Sequence, residues 1–295
     1  MIGFYLFLVL EKFLMLLPKK LRRSFFISLG FIAYKLSKKY NKVIRDNLKF
    51  IYGDDISQEF IQDIAKASFR QLLLNVLHTM EIRYYSIQEL SKKVSFVNDE
   101  ILTRAREQNR PIIFVTAHYG YWELCGSMIS ALREPTTAVY KNMNNKYFEN
   151  YLVSSRSKSR MELIEKSGAT RKLLKSIRSK KAIALLIDTN INKKEAVTVN
   201  FLGKATSQVR TPAYLARKFD AALIPTLIHT TDDEHYTIRF YDEIITPKTD
   251  NEEEDIRVST QLQADWLSKE ILKEPQPWFW LHRRFKNDYP EIYKS

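Results

Sequence analysis

The stretch Pro111 to Met128, PIIFVTAHYGYWELCGSM, limits the possible folds more than any other. Pro111 to Thr116 is mostly apolar and includes β-branched residues, the composition of a buried strand, and Trp122 to Leu132 is spaced as a helix. Only a short polar knot separates them, so a strand must pass its C-terminal end directly to a helix N-terminus. Open α/β sheets gather chemistry at such junctions. The knot holds His118, with Glu123 five positions further on. An imidazole there suits a general base near neutral pH, and a carboxylate one helical turn away would fix its tautomer and stabilise the imidazolium. A strand-end histidine also occurs as a plain hydrogen-bonded residue, and the helix dipole alone favours Glu in a first turn. The pair needs support from the rest of the chain.

Further runs continue the alternation. PTTAVY (135–140) reads as a strand, 145–160 as a helix and 170–180 as a short helix. AIALLID has the apolar continuity of a central strand and ends at Asp188. VTVNFL (197–202) is turned by Gly203, and Pro212 sits in the first turn of the helical TPAYLARKF. AALIPTLI is another strand, while YTIRFYDEII alternates as an antiparallel or edge strand does. Residues 56–94 read as helical with Phe60, Ile61, Ile64, Phe69 and Leu73 on one buried face, and His78 within that pattern as structural. The acidic run Asp250 to Asp255 reads as a solvated loop before a helix over 256–272. Helices first, then strands and helices in alternation, give an α/β fold: one domain over 41–295 with a mixed, largely parallel central sheet flanked by helices.

Residues 1–40 read as a hydrophobic, membrane-associating helical segment preceding that domain. Glu11 and Lys12 interrupt the first apolar run, and the second follows the basic residues Lys19, Lys20, Arg22 and Arg23. Neither reaches the ~18–20 uninterrupted apolar residues of a span. A basic leader and a small-residue cleavage site are missing, so a signal peptide is not expected. Two helices with cationic flanks suit an anionic bilayer surface; two packed core helices are the alternative.

Lys and Arg number 47 against 34 Asp and Glu, a net charge of +13. That balance calls for an anionic partner, whether nucleic acid, anionic membrane or acidic carrier protein. No nucleic-acid-binding signature accompanies it, so nucleic acid is not expected. Seven scattered glycines exclude a dinucleotide fingerprint and a P-loop. The single cysteine, Cys125, allows no intramolecular disulfide and lies inside a helical pattern, as a packing residue rather than a nucleophile. His229 and His235 flank Asp232, Asp233 and Glu234. A polar hairpin loop accounts for them, and no metal is expected.

Several stretches, in order, resemble the late acyltransferases of bacterial lipid A biosynthesis, the lauroyl/myristoyl family within the lysophospholipid acyltransferase superfamily. They are His118 with Glu123, the hydrophobic N-terminus ending in LP, Asn47-Leu48, the IDTN tetrapeptide at 187–190, FLG followed by TPAYLAR, and WFWLHRRFK. The resemblance implies that His118 is the base deprotonating an acceptor hydroxyl, with Glu123 its partner. It implies substrate or phosphate binding by Arg156, or by Arg160 as the competing choice, and by Asp188, which matches the carboxylate of the family's PDQ segment. Ile187 and Thr189 replace the flanking Pro and Gln, and Thr211 stands where the family has Gly. Backbone N–H groups near Gly120 would receive the oxyanion, or Gly120 would position the loop. Two basic clusters, Arg156, Lys158 and Arg160, and His282, Arg283 and Arg284, would serve an acidic donor or acceptor. Trp278, Phe279 and Trp280 fit core or membrane-interface positions.

The implied activity moves a lauroyl-like chain from acyl carrier protein, a donor substrate rather than a cofactor, to a hydroxyl of a Kdo-bearing lipid A precursor. Its place is the cytoplasmic face of the inner membrane. Other glycolipid or glycerolipid acceptors, water as acceptor, and a non-enzymatic basic membrane-binding role are the competing readings.

Overall fold

The computed structural model describes residues 2–294. The chain opens with α1 (Ile2–Leu16), α2 (Lys19–Leu36), α3 (Lys38–Tyr52), α4 (Gln58–Tyr84) and the short α5 (Ile87–Ser91). Strands and helices then alternate: β1 (Val94–Val97), α6 (Glu100–Glu107), β2 (Ile112–Thr116), α7 (Trp122–Leu132), β3 (Thr136–Tyr140), α8 (Lys146–Ser157), β4 (Glu162–Glu165), α9 (Ala169–Arg178) and β5 (Ala182–Leu186). A hairpin, β6 (Ala196–Phe201) and β7 (Lys204–Val209), precedes α10 (Thr211–Phe219), β8 (Ala222–His229), β9 (Tyr236–Phe240) and α11 (Glu252–Lys273).

Seven strands form one sheet in the order β1-β9-β8-β2-β5-β3-β4. Every neighbouring pair is parallel except β8 with β9. The mixed, largely parallel α/β sheet is as the sequence pattern requires. β2 lies near the middle and is covered on both faces. Ile113 and Val115 join one apolar cluster and Ile112 and Phe114 the other, which is why its sequence is continuously apolar rather than alternating.

Several elements depart from expectation. The region read as one helix over 56–94 stops at Tyr84, and a capping box between Ser86 and Glu89 starts α5 as a separate turn. β1 and β4 have four residues each and lie at the two edges of the sheet. VTVNFL pairs not with the sheet but with β7, through a tight turn in which Leu202 and Gly203 both have positive φ. The acidic run is not a loop: Asn251 caps α11 and Glu252 to Asp255 form its first turn, where the helix dipole favours negative charge. Asp255 is buried and accepts from Arg217 and Thr249.

Residues 2–36 are tied into the rest of the fold. α2 runs against α4 closely enough that a Cβ on Gly30 would stand 3.1 Å from the Arg70 Cα. Fully buried Arg22 binds Glu81 at 2.9 Å and the Tyr85 hydroxyl at 2.8 Å. On α1, Phe4 and Phe7 pack on Phe148 and Tyr151, and the Tyr151 hydroxyl donates to buried Glu11 at 2.5 Å. Residue 40, the boundary suggested by sequence, falls inside α3. The outer side of these helices stays apolar, with Ile2, Leu6, Val9, Phe13, Phe31 and Ile32 exposed. Among the described residues, no helix is long and apolar enough to cross a membrane.

Candidate active site

Strand register builds the site. Thr116 pairs with Leu186 in the parallel β2–β5 ladder, so the residues two beyond each partner, His118 and Asp188, emerge side by side at the C-terminal end of the sheet. Asp188 holds His118 at two points. One carboxylate oxygen accepts the His118 backbone N–H at 2.9 Å, and the other lies 2.9 Å from the ring Nδ1. The Trp278 indole N–H donates to Asp188 at 3.0 Å. Burial by itself would raise the Asp188 carboxyl, but the His118 ring, the His118 N–H and the Trp278 N–H outweigh it and hold the group at about 2. Burial pulls His118 down, and the charge and hydrogen bond of Asp188, helped by Glu123, carry it above its ordinary value. With Nδ1–H given to Asp188, Nε2 is the ring atom left to accept a proton.

The expected pairing of His118 with Glu123 is therefore corrected: the carboxylate that fixes the tautomer is Asp188, not Glu123. Glu123, in the first turn of α7, is taken by Arg156 from the last turn of α8 in a two-pronged pair of 2.9 and 2.6 Å. Burial would raise the Glu123 carboxyl, and the Arg156 guanidinium beside it holds it below its usual range. Glu123 reaches His118 only through its field. Two other expected site residues have partners within the protein. Asp188 is buried against His118, and Arg156 pairs with Glu123. Arg160 lies in the turn after α8 with positive φ and is exposed.

Gly120 positions the loop. Its φ is +57°, and a Cβ there would stand 2.7 Å from the Ile228 carbonyl oxygen. Its N–H donates to the Pro277 carbonyl at 2.8 Å. Its carbonyl accepts from Asn75 at 3.0 Å, and the Phe279 N–H returns to the His118 carbonyl at 2.9 Å. The histidine loop is thus laced to the WFW segment. Asn47 clamps that segment from α3, donating to the carbonyls of Trp280 and His282 at 2.9 Å each.

Trp278 and Trp280 are core residues, whereas the half-buried Phe279 packs with Trp122 around the His118 ring. Arg284, expected to meet an acidic partner, is fully buried instead, its guanidinium 5.2 Å over the Phe201 ring and pushed down by burial to about 10. His282 is likewise pushed down by burial, to about 4. Cys125 packs in α7, and burial pushes its thiol up to about 12. His78 sits edge-on between the rings of Tyr121 and Tyr236.

The residues around His229 diverge. His229 meets the Tyr241 hydroxyl, His235 meets Asp232, and Asp233 meets Arg70 and Arg23. Among the described residues no group of three or more His, Cys, Asp or Glu side chains could hold a metal ion.

Sequence reasoning missed Trp278 and Asn75 as partners of the site. Asn75 left a signal, a polar residue among the apolar positions of α4; the indole of Trp278 left none.

The profile of the bacterial lipid A biosynthesis acyltransferases matches residues 1–287. The chain belongs to that family. The lipid A biosynthesis palmitoleoyltransferase of Escherichia coli K12 is 23% identical over 260 residues, 88% of this chain and 82% of its own. The lauroyltransferase of the same organism is 21% identical over 264 residues, 88% and 83% of the two chains. A lipid A biosynthesis acyltransferase of Haemophilus influenzae is 24% identical over 289 residues, 96% and 90%. The chain is accordingly an O-acyltransferase, and its family points to a lipid A-type acceptor.

Proposed function

We propose that this acyltransferase moves a fatty acyl chain from acyl carrier protein to a hydroxyl of a Kdo-bearing lipid A precursor, with His118 as general base. The observation that carries the reading is the Nδ1 contact of His118 with buried Asp188, which leaves Nε2 as the basic atom of a side chain 24% exposed. In the reaction, Nε2 takes the acceptor O–H proton as the oxygen bonds to the thioester carbon. The C–S bond then breaks, and the imidazolium returns the proton to the departing sulfur. Base catalysis of this kind contributes about 10²- to 10⁴-fold. The developing oxyanion falls to the first turn of α7, which no side chain caps. Glu123 and Arg156, locked together beside it, shape the site and supply field.

The exposed apolar side of α1 and α2, with Lys12, Lys19 and Lys20 along it, supports attachment to an anionic inner-membrane surface from the cytoplasmic side. The acceptor is tested by competition: the Kdo-bearing tetra-acylated precursor against a glycerolipid and a mannosylated lipid, with one labelled acyl carrier thioester and products read by mass. Acylation of the precursor in preference to the others is expected. Preferential acylation of either competitor overturns the acceptor assignment.

A further inference from the structure

α9, ATRKLLKSIR, contains no acidic residue, and its buried side, Leu173, Ser176 and Ile177, faces the sheet. Arg171, Lys172, Lys175 and Arg178 are all exposed on the other side. None of these four forms an ion pair with any described residue. Several other surface arginines have acidic partners, Arg106 in Glu134, Arg110 in Glu243, Arg133 in Asp99 and Arg217 in Asp255, whereas α9 brings four cations together on one short helix with no acid in it. Arg171, Lys175 and Arg178 surround the half-buried Leu174, and with Ser179 they line a shallow, open depression of ≈ 720 Å³ on the helix surface.

We propose that this face of α9 is the docking surface for the acidic carrier that delivers the acyl thioester, an acidic helix lying against α9 with an apolar residue on Leu174. The inference rests on the donor assigned above and adds where that donor binds. Charge complementarity selects the occupant, since concentrated unpaired positive charge steers an acidic protein and fixes its register. Position agrees. α9 begins beyond the C-terminal end of β4, the end of the sheet at which β2 presents His118, so Arg171 in its first turn is the cation nearest that end while Arg178 lies towards the end where β5 begins; β4 is three strands from β2, a strand-to-strand spacing of about 14 Å.

A membrane is the other anionic surface in reach, and the two surfaces differ in character. The N-terminal helices expose large apolar side chains, Leu6, Val9, Phe13, Phe31 and Ile32 among them, of the kind that enter a bilayer surface. The exposed side of α9 is cationic, and its one outward apolar residue, Leu174, is half-buried.

The test is the full-length triple variant Arg171→Glu, Lys175→Glu, Arg178→Glu, assayed with acyl carrier thioester and with acyl-pantetheine, which lacks the protein. For the carrier donor, KM rises about tenfold or more with kcat within about twofold, and the dependence of KM on salt flattens. With acyl-pantetheine, kcat/KM is unchanged. The triple glutamine variant moves KM in the same direction by less, and serves if the charge reversal does not fold. An unchanged carrier KM overturns the proposal, as does an equal loss with both donors. Lost binding to anionic vesicles with carrier KM intact makes the face a lipid contact and overturns it too. A wild type that uses acyl-pantetheine without preferring the carrier refutes the donor assignment itself, and with it the docking surface.

Discussion

Asp188→Asn perturbs the centre of the site without changing its volume. The wild-type carboxylate accepts three hydrogen bonds, from the His118 N–H, the His118 ring and the Trp278 indole. An amide supplies only one oxygen. If that oxygen stays with the two outer donors, the NH₂ group faces Nδ1 and forces it to act as acceptor. The ring proton then moves to Nε2, the atom required to take the acceptor's proton. The variant also removes the charge that stabilises the imidazolium, so His118, no longer raised by it, titrates at lower pH. A wrong tautomer and a lost counter-charge together predict a fall in kcat of about 10²- to 10⁴-fold. Activity needs neutral His118. Its raised pKa sets the acid limb of kcat/KM above the ordinary imidazole range, and Asp188→Asn displaces that limb towards acid. The assay is acyl transfer against pH, with circular dichroism to confirm folding. A folded variant with kcat within a few-fold of wild type and an unmoved acid limb would refute the reasoning.

Other consequences are independent. Glu123→Gln and Arg156→Lys each lower kcat about 10- to 100-fold, the worth of a charge-assisted pair, and the double variant is no worse than either, because the two side chains act as one unit. Additive losses would separate their roles. Gly120→Ala forces an L-residue into a left-handed conformation and sets a Cβ against the Ile228 carbonyl, lowering Tm by at least about 4 °C in a thermal melt. Arg22→Ala strands Glu81 in the α2–α4 interface and costs about 3 kcal/mol by denaturant unfolding, the low end for a broken buried pair, since Lys93 remains 3.4 Å from Glu81. Burial would raise Glu81, but His78, Lys93 and Arg22 hold its folded-state pKa below the unfolded value. Its stabilisation is present above the unfolded pKa and is lost as pH falls through the folded one.

What could be read from sequence follows the range of each signal. Continuous apolar runs long enough to cross a sheet, such as IIFVT and AIALL, announce themselves, and so does the junction that carries His118. The four-residue edge strands β1 and β4 are too short to show a period. The partner of His118 illustrates the same limit. Glu123 is five residues away in sequence and Asp188 is 70, so spacing favours the nearer carboxylate. Only the adjacency of β2 and β5, which no local pattern encodes, brings Asp188 under the ring. Arg284 misleads for a related reason: a charged residue in a basic run reads as surface, and its burial depends on packing against Phe201, 83 residues earlier in the chain.

The most direct test of His118 as the base is acyl transfer by purified wild type and His118→Ala, each shown to be folded, with lauroyl carrier protein and the Kdo-bearing tetra-acylated precursor. Mass spectrometry of the lipid should show the gain of one acyl chain with wild type and its loss with the variant. Undiminished acylation by a folded His118→Ala protein would contradict the account.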